Sequence, residues 1–155
     1  LNQKVRIRGR SSILNSQRQK VKTETHMKKI MIIEDNKDLQ QIYKHSFEKY
    51  GYEVILEGNG LEGITSVVDH MPDVILLDLM MPGMDGFGFL QKIKDTGGLS
   101  IPVIVCSNVS DVETISRATR SGATAVLLKV DYSGKQLVDK VTYLLNEFHK
   151  KSPKN

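Results

Sequence analysis

Four short, largely apolar runs in this chain each end on residues able to do chemistry. Glu34 and Asp35 follow Ile30 to Ile33, Asp78 follows Val74 to Leu77, Ser107 follows Val103 to Cys106, and Lys129 follows Thr124 to Leu128. Three carboxylates brought to one crevice repel one another, and a cation is needed for all of them to stay ionised. Oxygen donors of this kind suit a hard divalent ion, and Mg²⁺ typically takes a few carboxylate oxygens together with water or phosphate. Glu34, Asp35 and Asp78 are therefore the candidate ligands. His26, His45, His70 and His149 are scattered without helical pairing and there is one cysteine, Cys106, so a zinc site is not expected. A carboxylate held at a strand end can attack phosphorus and form an acyl phosphate. Asp78 is the candidate nucleophile, with Lys129 supplying an ammonium and Ser107 a hydroxyl donor to the charge that develops.

To serve one site, these residues must be carried to one edge of the fold. The apolar runs, with Tyr52 to Leu56 as a fifth, are rich in β-branched residues and leucine and are bounded by turn residues, as buried strands are. Between and after them, apolar residues recur at helical spacing: Leu39, Ile42, Tyr43 and Phe47; Leu61, Ile64, Val67 and Val68; Phe87, Leu90 and Ile93; Val112, Ile115 and Thr119; Leu137, Val141, Leu144, Leu145 and Phe148. Five strands, each followed by a helix, predict an α/β fold with a parallel sheet covered on both faces. Right-handed crossovers then favour the flavodoxin-like strand order 2-1-3-4-5, in which ligands bind outside the carboxyl ends of the strands.

Charge separates the chain into unequal parts. The 155 residues carry a net charge of +4, yet residues 1–26 hold seven Lys/Arg against one acid, and the rest hold 15 basic and 17 acidic side chains, a net of −2. The first segment is polar and lacks a helical stripe, so it is read as a basic flexible leader or linker, with a weak alternation at Lys4 to Arg8 as its one strand-like feature. Residues 27–150 are expected to form the domain and 151–155 a solvated C-terminal tail. Apolar stretches fall far short of the roughly 18 residues that a membrane-spanning helix needs, so no membrane insertion is expected. A lone cysteine and the absence of a secretory pattern point to a cytoplasmic setting.

The same residues carry a resemblance to the receiver domains of two-component response regulators. The stretch Asp78-Leu79-Met80-Met81-Pro82-Gly83-Met84-Asp85-Gly86 is similar to the acceptor loop of that family. It is joined by Ile32-Ile33-Glu34-Asp35-Asn36, by Ile101-Pro102-Val103-Ile104-Val105 leading to Ser107, and by Gly122-Ala123 leading to Lys129, in family order from Lys28 to about Phe148. The resemblance implies a phosphorylation switch. A histidine kinase or histidine phosphotransfer protein would present phosphohistidine, and Asp78 would accept the phosphoryl group with Mg²⁺ bound by Glu34, Asp35, Asp78 and the backbone carbonyl of Met80. It further implies that Ser107 and Lys129 contact the phosphate, and that the fourth helix, fifth strand and fifth helix present the outcome to a downstream protein or an output domain.

Several positions depart from the family pattern. Val126 stands where an aromatic often reports the movement of the hydroxyl residue, and Val130 follows Lys129 where proline is usual, so a trans Lys129–Val130 bond is expected. Asn108 follows Ser107 where a small residue is common. Met80 and Val109 occupy positions that often orient a hydrolytic water, which neither side chain can do by hydrogen bonding; slow loss of the phosphoryl group is expected.

Rival readings remain at this point. One is a degenerate receiver that binds partners without phosphorylation, and another is a Mg²⁺-dependent phosphohydrolase, which commonly carries a second acid where this chain has Met80. Gly58-Asn59-Gly60-Leu61-Glu62-Gly63 formally matches a dinucleotide-binding turn, but it follows the second strand, and Glu57 would repel a pyrophosphate; a helix-capping turn is the plainer reading. The basic leader admits salt-dependent adhesion to nucleic acid or an anionic membrane, whereas the folded part has no such footprint.

Overall fold

Alternation of side chains along each strand requires two apolar layers wherever both faces of a sheet are covered, which is why the strands here read as continuous apolar runs. A computed structural model of the chain describes residues 25–97 and 100–153. The expectations for residues 1–24, including Lys4 to Arg8, and for Lys154 and Asn155 lie outside the described residues. The strands are β1 (Lys29–Ile33), β2 (Glu53–Glu57), β3 (Val74–Leu77), β4 (Val103–Ser107) and β5 (Ala125–Leu128), and all pair in parallel in the order β2-β1-β3-β4-β5. The helices are α1 (Lys37–Lys49), α2 (Gly60–His70), α3 (Gly86–Asp95), α4 (Val112–Arg120) and α5 (Lys135–Lys151). Both the fold class and the strand order match the expectation from sequence.

Ile30 and Ile32 of β1, Leu76 of β3, and Ile104 and Cys106 of β4 point to one face, where Tyr43 and Phe47 of α1 and Leu137, Val141 and Leu145 of α5 cover them. Met31, Ile33, Ile75, Leu77 and Val105 point to the other, against Val67 of α2, Phe89 and Leu90 of α3, and Ala118 of α4. Helix starts are set locally. Asn36, Asn59, Asp85 and Asp111 each lie in extended backbone and accept, through the side chain, the N–H three residues on, satisfying one orphan donor of α1, α2, α3 and α4 respectively.

Periodicity identified the helices but not how firmly each one rests on the sheet. In α4 the apolar positions Val112 and Ile115 are exposed, at 81% and 38%, Thr119 is exposed as well, and Ala118 is the buried residue. This helix has nine residues and touches the sheet through its smallest apolar side chain. Ile42 of α1 and Leu61 and Val68 of α2 are likewise solvent-facing members of otherwise inward stripes. No helix among the described residues is long and apolar enough to cross a membrane.

Candidate functional site

Parallel register places the chemistry. Ile33 pairs with Leu77, so the residues immediately after them, Glu34 and Asp78, emerge side by side, and the Asp78 N–H donates to the Ile33 carbonyl at 3.0 Å. Ser107 pairs with Leu128, the last residue before Lys129. Gly86 closes the loop that follows Asp78, its N–H donating to the Leu79 carbonyl at 3.0 Å. A Cβ there would fall 2.6 Å from the Asp78 carbonyl oxygen and 2.7 Å from Leu79 Cα, so only glycine lets the loop return this closely to the strand end.

One carboxylate oxygen from each of Glu34, Asp35 and Asp78 lies within 4.8 Å of the others. Asp35 is exposed, whereas Glu34 and Asp78 are 3% and 6% exposed. Lys129 Nζ donates to Glu34 Oε2 at 2.7 Å and lies 3.4 Å from Asp78 Oδ1. The backbone N–H groups of Asn36 and Met80 donate to Glu34 Oε1 and Asp78 Oδ1, at 3.1 and 3.3 Å. Burial raises the Glu34 carboxyl above its ordinary pKa, the Lys129 hydrogen bond and the Asn36 N–H pull it partly back, and the Asp78 charge pushes it up again. Burial also raises Asp78, against the pull of Lys129 and the Met80 N–H. For Lys129 burial acts to lower the pKa, but the Glu34 hydrogen bond and the Asp78 charge outweigh it, so the ammonium is held more firmly than usual.

With these groups ionised, three carboxylates and one ammonium leave two negative charges in excess, which a divalent cation would neutralise. The donor set is carboxylate oxygen throughout, so it fits Mg²⁺ rather than zinc. Ser107 is fully buried, and its Oγ accepts from the Val109 N–H at 3.1 Å, which leaves the hydroxyl proton free to donate.

The remaining predicted positions surround this cleft. Met80 is 65% exposed on the acceptor loop, Asn108 is exposed, and Val109 is half-buried. Val126 packs against the second core and, with Val109, Ile115, Asp131 and Tyr132, lines a groove of about 250 Å³ beside α4. Lys129, Val130 and Asp131 form a single 3-10 turn, no cis peptide bond occurs among the described residues, and Val130 is 78% exposed. The glycine-rich turn after β2 is a helix cap: Asn59 Oδ1 accepts from Glu62 N and Glu62 Oε2 accepts from Gly58 N. A larger groove of about 530 Å³, lined by Thr25 to Lys28, Tyr50 to Tyr52 and part of α5, contains none of the site residues. Cys106 is buried, and its thiol is pushed up to about 11 by that burial, as befits packing rather than nucleophilic work.

Sequence reasoning missed Gln40. Its buried side-chain amide donates to the Glu34 carbonyl and, at 3.0 Å, to the Glu57 carbonyl, tying the end of β1 to the end of β2 beneath the acidic pair. The available signal was its spacing: Gln40, Tyr43 and Phe47 form the buried stripe of α1, so a polar residue stood at a core position.

The response regulator receiver domain family matches residues 30–142. A probable C4-dicarboxylate response regulator of Priestia megaterium is 33% identical over 102 residues, covering 64% of this chain and 44% of that protein. A probable transcriptional regulator of Guillardia theta is 29% identical over 122 residues, covering 79% of this chain and 47% of that protein. The chain thus spans about half the length of these relatives. Among solved structures, a Francisella response regulator receiver domain superposes with a TM-score of 0.71 at 28% identity, covering 77% of this chain and 98% of the other. A CheY-like receiver domain protein of Methanospirillum hungatei shares the fold at a TM-score of 0.73 and 24% identity, covering 81% of this chain and 99% of the other.

Proposed function

The chain belongs to the response regulator receiver domain family, and on that premise we propose that Asp78 accepts a phosphoryl group from the phosphohistidine of a sensor kinase or phosphotransfer protein. One observation carries the reading. The Glu34-Asp35 pair, Asp78 and Lys129, remote from one another in sequence, converge at the carboxyl edge of the sheet with a surplus of negative charge that matches a divalent ion. Both contacts described for the Asp78 carboxylate fall on Oδ1, which supports assigning the attack to the less engaged Oδ2. An O–P bond forms as the P–N bond of the donor breaks, and the departing imidazole nitrogen keeps the bonding pair and takes up a proton from solvent.

Lys129 exchanges part of its interaction with Glu34 for a phosphoryl oxygen, and the Ser107 hydroxyl donates to another. Bound Mg²⁺, held by Glu34, Asp35, Asp78 and the Met80 carbonyl, would neutralise the charge on those oxygens. Asn108, Val109 and Val126 modulate access to the site and its coupling to α4. Residues 27–150 act as the receiver, in the cytoplasm, and the face formed by α4, β5 and α5 carries the outcome to a downstream protein or output domain.

Intact-mass analysis after incubation with acetyl phosphate, with and without Mg²⁺, tests this. A single Mg²⁺-dependent phosphoryl adduct is expected in the wild type and none in Asp78→Asn. A folded wild type that takes no adduct would favour phosphorylation-independent partner binding instead, the reading supported by the closer pairing of Lys129 with Glu34 than with Asp78.

A further inference from the structure

Two helices descend from the two strands that carry Asp78 and Ser107, and one contact joins them outside the site. The Arg117 guanidinium of α4 stacks over the Phe87 ring of α3 at 3.9 Å from its centroid. Phe87 stands in the first turn of α3, whose start is tied to the acceptor loop by Asp85, which caps it, and by Gly86, wedged against Asp78 and Leu79. Arg117 belongs to α4, which begins five residues after Ser107 behind the Asp111 cap and rests on the sheet through Ala118. The Ser107 Oγ in turn holds the Val109 N–H in the short connection to α4. A path of contacts and chain connections thereby runs from Asp78 through Phe87 and Arg117 to α4 and Ser107. Open volume lies near α4: a groove of about 250 Å³ near β5 that Ile115 lines, and one of about 180 Å³ past the end of the helix, where Ser121 and Gly122 face Leu90, Ile93 and Lys94 of α3.

We propose that the Arg117–Phe87 stack is a clasp that holds α4 in the resting arrangement, and that Ser107 draws α4 off it when it leaves the Val109 N–H for a phosphoryl oxygen. This rests on the reading of Asp78 as phosphoacceptor. A guanidinium over an aromatic face is attracted by the ring quadrupole, and Arg117 is exposed, so the contact is weak enough to break in a switch. Arg117 and Phe87 are positioning residues here; neither contacts the acidic cluster among the described interactions.

Linkage supplies the test, because a contact that favours the resting arrangement must weaken phosphoryl-mimic binding by the factor with which it biases that arrangement. The probe is beryllofluoride with Mg²⁺, titrated by NMR alongside amide exchange at Ile115 and Ala118. Arg117→Ala is expected to bind beryllofluoride about two- to fivefold more tightly than wild type, the range an exposed cation–π contact supports, with faster exchange in α4. Phe87→Leu should do the same, the double variant should add little further, and Arg117→Lys should return toward wild type. Faster exchange with unchanged or weaker beryllofluoride binding would overturn the clasp while leaving the phosphoacceptor reading intact. A wild type that does not bind beryllofluoride would overturn that reading and the clasp with it.

Discussion

Replacing Lys129 with methionine removes the one ammonium that, among the described residues, contacts both nearly buried carboxylates, and the structure sets the size of the effect. At an effective dielectric of about 20, the 2.7 Å contact to Glu34 and the 3.4 Å contact to Asp78 correspond to about 6 and about 5 kcal/mol of gross attraction. Desolvation of the ammonium, whose side chain is 12% exposed, offsets several kcal/mol of this, and removing one partner from a buried ion cluster costs about 3 to 5 kcal/mol. Protonation limits the loss. Neutralising a carboxylate of ordinary pKa near 4 costs about 1.4 kcal/mol per pH unit, hence about 4 kcal/mol at pH 7 and about 1 kcal/mol at pH 5.

Glu34 and Asp78 already have raised pKa values, and without Lys129 they rise further. A carboxylate whose folded pKa lies above its unfolded value contributes stability below the unfolded pKa and loses it as pH climbs through the folded one. Urea unfolding in a chelator should therefore find Lys129→Met less stable than wild type by about 3 to 4 kcal/mol at pH 7 and about 1 kcal/mol at pH 5. Added Mg²⁺ should narrow the gap at pH 7, because a ligand bound only by the folded state stabilises it. A deficit below about 1 kcal/mol at pH 7, or one equal at both pH values, would refute the view that Lys129 is the built-in counterion of this cluster.

Gln40→Leu leaves the Glu34 and Glu57 carbonyls without their side-chain donor; a loss of about 1 to 3 kcal/mol in urea unfolding is expected, with weaker Mg²⁺ binding by isothermal titration because the acidic pair is less well held. Ser66 on α2 is buried and its Oγ has no hydrogen-bond partner among the described residues, so Ser66→Ala should leave the melting temperature unchanged or raise it by a few degrees, and a clear fall would reveal a hidden interaction. Met80 and Val109 offer no hydrogen bond to a hydrolytic water, so the phosphoryl group on the isolated protein should persist for minutes or longer; decay within seconds, followed by phosphate release, would contradict this.

Local signals, held within a few residues, determined much of this molecule. Short β-branched runs made strands, and the Gly58-Asn59-Gly60 turn read as a helix cap, because caps and periodicity act over one turn; Asn36, Asp85 and Asp111 cap their helices in the same local way. The site was legible for a related reason. Parallel strands finish at a common edge, so residues that terminate apolar runs must meet there, and Glu34, Asp35, Asp78 and Lys129 do. What the sequence left undecided depends on contacts between distant segments. Lys129 lies closer to Glu34, 95 residues away, than to Asp78, and that preference is a balance of distance and burial that no spacing rule encodes. Gln40 falls on the buried stripe of α1, but its two carbonyl partners, at the ends of separate strands, are set only by the tertiary arrangement. The apolar spacing of Val112 and Ile115 marked a helix, but only packing decided that α4 rests on Ala118 and leans on Phe87 through Arg117. Periodicity reports which residues share a face, whereas the tertiary arrangement decides what that face meets.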